Sequence, residues 1–166
     1  MTELTLETTL AIKKEDLTSL IKELQKRGYE TIGPQVKENA LVNAPVNELE
    51  DFPFGYTSEQ ERGSFRLKKS TNKRYFDITP GQASWKQFLF PPQCVLFKNV
   101  KDNGHWKEVK EKVDAKKQAF IGIRPCDMAA ILIQDKVFIR NDYTDPIYQA
   151  KRQNLLIITV SCSRSA

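Results

Sequence analysis

Glycine-rich phosphate loops, closely spaced cysteine or histidine pairs and long apolar runs are all missing from this 166-residue sequence. Without a GxGxxG or P-loop pattern, a nucleotide site has no warrant. The single histidine, His105, stands in the polar, turn-like stretch Asn103-Gly104-His105-Trp106, and a lone histidine in such a setting reads as a surface residue. No spacing supports a Cys–His nucleophilic pair. Three cysteines, an odd and sparse set, do not make a secreted disulfide scaffold. In a reducing compartment they are thiols, metal ligands or core residues. Structural zinc normally announces itself as close ligand pairs, and there are none. No apolar run approaches the roughly twenty residues that span a bilayer. The first residues carry acids and threonines rather than the pattern of a signal peptide. A cytoplasmic protein without a membrane span is therefore expected.

What is present suits a folded chain, with 40% hydrophobic and 10% aromatic residues. The length fits one domain, residues 1–166, hairpin-rich over 1–100 and α/β over 118–162. The net charge of +5 is spread rather than striped, and no aromatic-plus-basic module accompanies it. No nucleic-acid partner is expected; an acidic partner protein explains a mild positive excess at least as well. Runs such as Arg66-Leu67-Lys68-Lys69 read as solvated faces or hairpin edges.

Along the chain, residues 6–12 read as a strand. An amphipathic helix follows, with Leu17, Leu20, Ile21 and Leu24 at helical spacing and Gly28 closing it. Residues 29–46 read as a hairpin turning near Lys37-Glu38-Asn39, and 51–63 as irregular. A second hairpin is expected from 64–67 and 74–78 around Ser70-Thr71-Asn72-Lys73. Pro80-Gly81 opens a short helix bearing Trp85, Phe88 and Leu89, stopped by Pro91-Pro92. Residues 94–97 look strand-like, and 105–117 like a polar surface helix or loop. The final section reads strand 119–123, helix 127–136, helix 146–153 opened by Asp145-Pro146, and strand 155–160. The fold class is α/β with an α+β front half, a mixed sheet with flanking helices.

The most informative stretch is residues 120–134, FIGIRPCDMAAILIQ. An apolar run breaks at Arg124-Pro125, presents Cys126 and Asp127, and becomes helical. That pattern sets a thiol where a strand hands over to a helix, with Asp127 suited as N-cap. Free amides and the positive end of the helix dipole stabilise a thiolate there. Arg124 is placed to pair with a thiolate, a cluster sulfide or an anionic cofactor, or else with Asp127 or Asp135. A second strand-like run also ends in a cysteine, Cys162, so Cys126 and Cys162 are expected at one edge of a sheet, both partly accessible. The plain alternative is that Cys126 is a small buried residue. Cys94 is expected to be more buried, on a strand. Thiolates select zinc, Cu(I) or iron–sulfur clusters. A metal site with two thiolates leads us to expect that the native chain continues beyond Ala166.

Several blocks together resemble a known family: Gly28-Tyr29-Glu30 with Ile32-Gly33-Pro34, Ser84-Trp85-Lys86-Gln87-Phe88-Leu89-Phe90-Pro91-Pro92, Ile123-Arg124-Pro125-Cys126-Asp127 with Ile133-Gln134-Asp135, and Asp145-Pro146 to Arg152 with Cys162. The sequence is similar to the iron–sulfur beta subunit of cytosolic nickel–iron hydrogenases and sulfhydrogenases, a 4Fe-4S dicluster family akin to the A subunit of anaerobic sulfite reductase. The resemblance covers almost the whole chain as an N-terminal domain. It implies electron transfer within an oxidoreductase complex, with other hydrogenase or reductase subunits as partners. Family members carry two CxxCxxCxxxCP runs for two [4Fe–4S] clusters, and a short Thr-Cys-Phe-Cys element after the second cysteine; this sequence has neither. By ligand counting, Cys126 and Cys162 would supply half of a further [4Fe–4S] cluster in the longer protein, with Arg124 and Asp127 beside it. This chain alone is expected to hold no intact cluster. The alternative is a non-redox docking or scaffold domain for subunit assembly.

Overall fold

The computed structural model describes residues 9–78, 83–110, 113, 115–140 and 142–162. Among them runs a four-stranded mixed sheet. Strands β1 (Glu30–Lys37) and β2 (Ala40–Pro45) form a hairpin, and β7 (Gln118–Ile123) and β8 (Leu155–Thr159) complete the order β2-β1-β7-β8. The β1–β2 pair is antiparallel; β1–β7 and β7–β8 are parallel. This is the expected α/β class. The hairpin turns through Glu38 and Asn39, both at positive φ, as the tight primed turns that match strand twist require.

Helix α1 (Asp16–Lys26) presents Ile21 and Leu24 to the core. It ends as anticipated: Gly28 sits at φ +82°, and the Tyr29 amide returns to the Leu24 carbonyl at 3.0 Å. The central strand β7 is buried along Ala119 to Ile123, as a strand covered on both faces must be. Its Ala119 and Ile121 join Ile21, Leu24, Val46, Leu49 and Phe52 on one face of the sheet. Phe120 and Ile123 join Trp85, Leu89, Ile131 and Tyr148 on the other.

Strict alternation would put Ile123 with Ile121. A bulge prevents this. Ile121 pairs with Ile158 and Ile123 with the next residue, Thr159, so Gly122 is the extra residue on β7. Gly122 has φ +96°, and a Cβ there would lie 2.9 Å from Phe76 Cε1. Glycine is needed here both for the backbone angle and for the close approach of Phe76. The bulge turns the end of β7 toward the layer of helices α3 (Pro125–Phe138) and α4 (Pro146–Gln153). Trp85, the N-cap of the short helix α2 (Lys86–Leu89), and Phe88 within it pack around Phe120 with ring centroids at 4.9 and 5.6 Å.

Several expectations are corrected. Residues 9–12 form no strand, and 1–8 lie outside the described residues, as do Pro80 and Gly81. The second hairpin is β3 (Tyr56–Glu61) with β4 (Ser64–Lys69), turning at Arg62-Gly63 rather than at 70–73. After Tyr56 its first strand is polar, so no apolar alternation betrays it. Residues 105–110 are neither helix nor loop: β5 (Phe97–Asp102) and β6 (His105–Lys110) form a third hairpin around Asn103-Gly104. Cys94 is exposed and precedes β5 instead of lying buried on a strand. No described helix is long and apolar enough to cross a membrane.

Candidate thiolate site at the carboxyl edge of the sheet

The parallel pair β7–β8 fixes where the two candidate cysteines emerge. Ile123 and Thr159 are register partners. Cys126 follows the first by three residues and Cys162 follows the second by three. Adjacent strands lie about 4.8 Å apart, so both thiols leave the same edge from neighbouring strands. The Val160 amide donates to the Ile123 carbonyl at 2.8 Å, extending the pairing one residue beyond the ladder toward them. Cys126 and Cys162 are both exposed, as expected of a shared accessible edge, and Cys126 is not a buried structural residue.

The first turn of α3 is set one step differently from the sequence expectation. Arg124, not Asp127, is the N-cap, with extended backbone; Pro125 takes the first helical position, Cys126 the second and Asp127 the third. Asp127 instead reaches back, its Oδ2 accepting the Arg124 amide at 3.2 Å. Proline at the first helical position explains the shift, since it lacks the amide that an α-helix leaves unused there. The amides of Cys126 and Asp127 precede the first intrahelical bond, donated by Met128 to the Arg124 carbonyl at 2.9 Å.

Arg124 links the two strands electrostatically. Burial draws its guanidinium below the ordinary arginine value, while negative charge at Cys162, Asp127 and Cys126, in that order, pushes it back up. Negative charge at either cysteine would thus be favoured by the same half-buried cation. On its inner side Arg124 lines a water-sized cavity of about 30 Å³ with Asp127, Asn43, Tyr75 and Trp85.

Beyond Cys126, the outer face of α3 stays apolar. Ala129, Ala130, Ile133 and Val137 are exposed at helical spacing from Cys126, whereas Ile131 and Asp135 on the opposite face are buried. Asp135 anchors that inner face. It accepts the Tyr148 hydroxyl at 2.8 Å and Arg152 Nε at 3.1 Å on both oxygens. Tyr148 is fully buried. Desolvation raises its pKa, helped by the hydrogen bond to Asp135 and that carboxylate's charge and opposed by Arg152. The cluster ties α3, which carries Cys126, to α4, which leads into β8 and Cys162. Asp135 thus pairs with Arg152 rather than with Arg124. Sequence reasoning named Asp135 only as an alternative partner for Arg124 and assigned no contact to Tyr148 or Arg152. The available signal was an acid amid the apolar second half of α3, and an aromatic and a base four apart on the next helix.

Among the described residues no group of three or more His, Cys, Asp or Glu is placed to hold a metal ion. Two exposed thiols beside a cation and a helix N-terminus suit the donor chemistry of an iron–sulfur cluster, but supply half the usual four thiolates.

No protein-family model matches this chain, and no solved structure does. Among curated proteins, it is 29% identical over 118 residues to Sulfhydrogenase 2 subunit beta of Pyrococcus furiosus, a match taking in 70% of this chain and 34% of that protein. The chain spans about a third of the length of this curated relative. The likeness supports a relationship to hydrogenase beta subunits.

Proposed function

We propose that this chain is the N-terminal domain of an iron–sulfur electron-transfer subunit, working in a cytoplasmic hydrogenase- or sulfhydrogenase-like complex. One observation carries the reading: Cys126 and Cys162 are exposed at equal offsets beyond paired residues of adjacent parallel strands. The relative's printed name points the same way. Cys126 and Cys162 would bind a [4Fe–4S] cluster in the longer protein, the other two thiolates coming from polypeptide outside the described residues. Such a cluster accepts and returns single electrons. Arg124 and the first amides of α3 stabilise negative charge at this edge, which favours the reduced form. Asp127 holds the Arg124 backbone in the capping conformation, and the Asp135 cluster fixes the spacing between the two cysteine-bearing arms.

The test is metal content of the longer gene product, purified anaerobically. Cys126→Ser and Cys162→Ser should each lower iron by about four atoms per chain and remove the matching reduced-state EPR signal, whereas Cys94→Ser should change neither. Full iron and an unchanged signal in Cys126→Ser would overturn the reading and leave a docking domain as the better one.

A further inference from the structure

The β5–β6 hairpin is exposed along its whole length on both strands. An isolated two-stranded hairpin is marginal in water, yet this one displays large apolar side chains, with Phe97 51% and Trp106 71% exposed. Cross-strand partners share a face. The register therefore sets Phe97 and Trp106 on one face with Lys101 and Lys110, and Val100 and Val109 on the other with Lys98 and Lys107. Each face carries two apolar residues and two lysines. Lys101 Nζ lies 6.0 Å from the Trp106 ring centroid. The two strands also carry Glu108 on the first face and Asp102 on the second, and Lys98 already has an interaction of its own, so Lys101, Lys107 and Lys110 are the lysines the argument uses.

This two-sided pattern selects among partners. A membrane surface needs one apolar and one basic side, and the hairpin does not separate them. A second copy would set one net-positive face against another. A partner with acidic walls and an apolar floor matches both faces at once. We infer that the hairpin is a docking arm gripped in an acidic, apolar cleft of a partner subunit. Trp106 is its central anchor and the lysines are its electrostatic guide. The inference rests on the proposed membership of a hydrogenase-like complex and names the contact surface within it.

The experiment co-expresses the longer protein, affinity-tagged, with the other subunits of that complex. Three versions are compared: wild type, Trp106→Ser, and Lys101→Glu with Lys107→Glu. The docking arm predicts that wild type co-purifies, that each hairpin variant weakens subunit affinity at least tenfold, and that raising salt from about 50 to 500 mM weakens wild-type binding. Cys94→Ser, outside both the hairpin and the thiolate site, should assemble normally. A photo-crosslinking residue at position 106 in the otherwise wild-type protein should link to Asp- and Glu-rich peptides of one partner, which keeps the question open to refutation even where a variant misfolds. Assembly unaffected by either variant, or crosslinks to a second copy, would overturn the docking arm while leaving the complex standing. Failure of the wild type to assemble would overturn both.

Discussion

Replacing Asp135 with alanine removes the acceptor that Tyr148 and Arg152 share, and the structure says what is stranded. The Tyr148 hydroxyl lies in a fully buried ring, with Asp135 its hydrogen-bond partner at 2.8 Å. A buried donor left unpaired costs about 1–3 kcal/mol. The Arg152 side chain is 23% exposed, so its head can turn to water and its share falls at the low end, about 1 kcal/mol. Together these give a loss of about 3 kcal/mol, the lower limit for breaking a buried ion pair from one side. Urea unfolding followed by circular dichroism should show the midpoint falling by about 1.5 M for a slope near 2 kcal/mol/M. Arg152→Leu should cost at least as much, because it leaves the carboxylate buried without its cation. Tyr148→Phe should cost less. A loss below about 1 kcal/mol for Asp135→Ala, with the slope unchanged, would refute the claim that this cluster locks α3 to α4.

The same tyrosine makes stability fall in alkali. Its folded pKa is raised above the ordinary 10.0, so above about pH 10 the unfolded chain loses a proton that the folded one keeps, and stability declines as pH rises. Urea midpoints at pH 9 and 11 should therefore separate further in wild type than in Tyr148→Phe. Gly122→Ala should cost about 2 kcal/mol or more in thermal or urea unfolding, since alanine must adopt φ +96° and drive its Cβ against Phe76. In the longer protein, Arg124→Gln should lower the reduction potential of the proposed cluster in a spectroelectrochemical titration, with fold and iron content unchanged.

Sequence patterns exposed the elements that bury apolar side chains. Strands β7 and β8 appear as apolar runs, α1 as a helical stripe closed by Gly28, and α4 through Asp145-Pro146, where Asp145 caps the Ile147 and Tyr148 amides at 2.9 Å. The solvated hairpins gave no such pattern. Strands β3 and β5–β6 pack no buried face, so hydrophobic periodicity is silent there. Only turn chemistry marks them, Asn103-Gly104 most of all. Cys94 looked strand-like because Val95, Leu96 and Phe97 follow it, but those side chains are exposed. The common edge for Cys126 and Cys162 was legible because each follows a buried-type run directly. The Asp135–Tyr148–Arg152 cluster was not, because its partners lie 13 and 17 residues from Asp135 and meet only when two helices pack.

The central claim is that Cys126 and Cys162 form one site, and a trivalent arsenical that bridges two nearby thiols tests it directly. Phenylarsine oxide titrated anaerobically into the reduced chain should bind one equivalent and block two of the three thiols. Cys94→Ser should bind it equally well, Cys126→Ser and Cys162→Ser should lose the bridge, and Asp135→Ala should weaken it. Full-strength bridging in Cys126→Ser, or none in Cys94→Ser, would show that the two cysteines do not share a site.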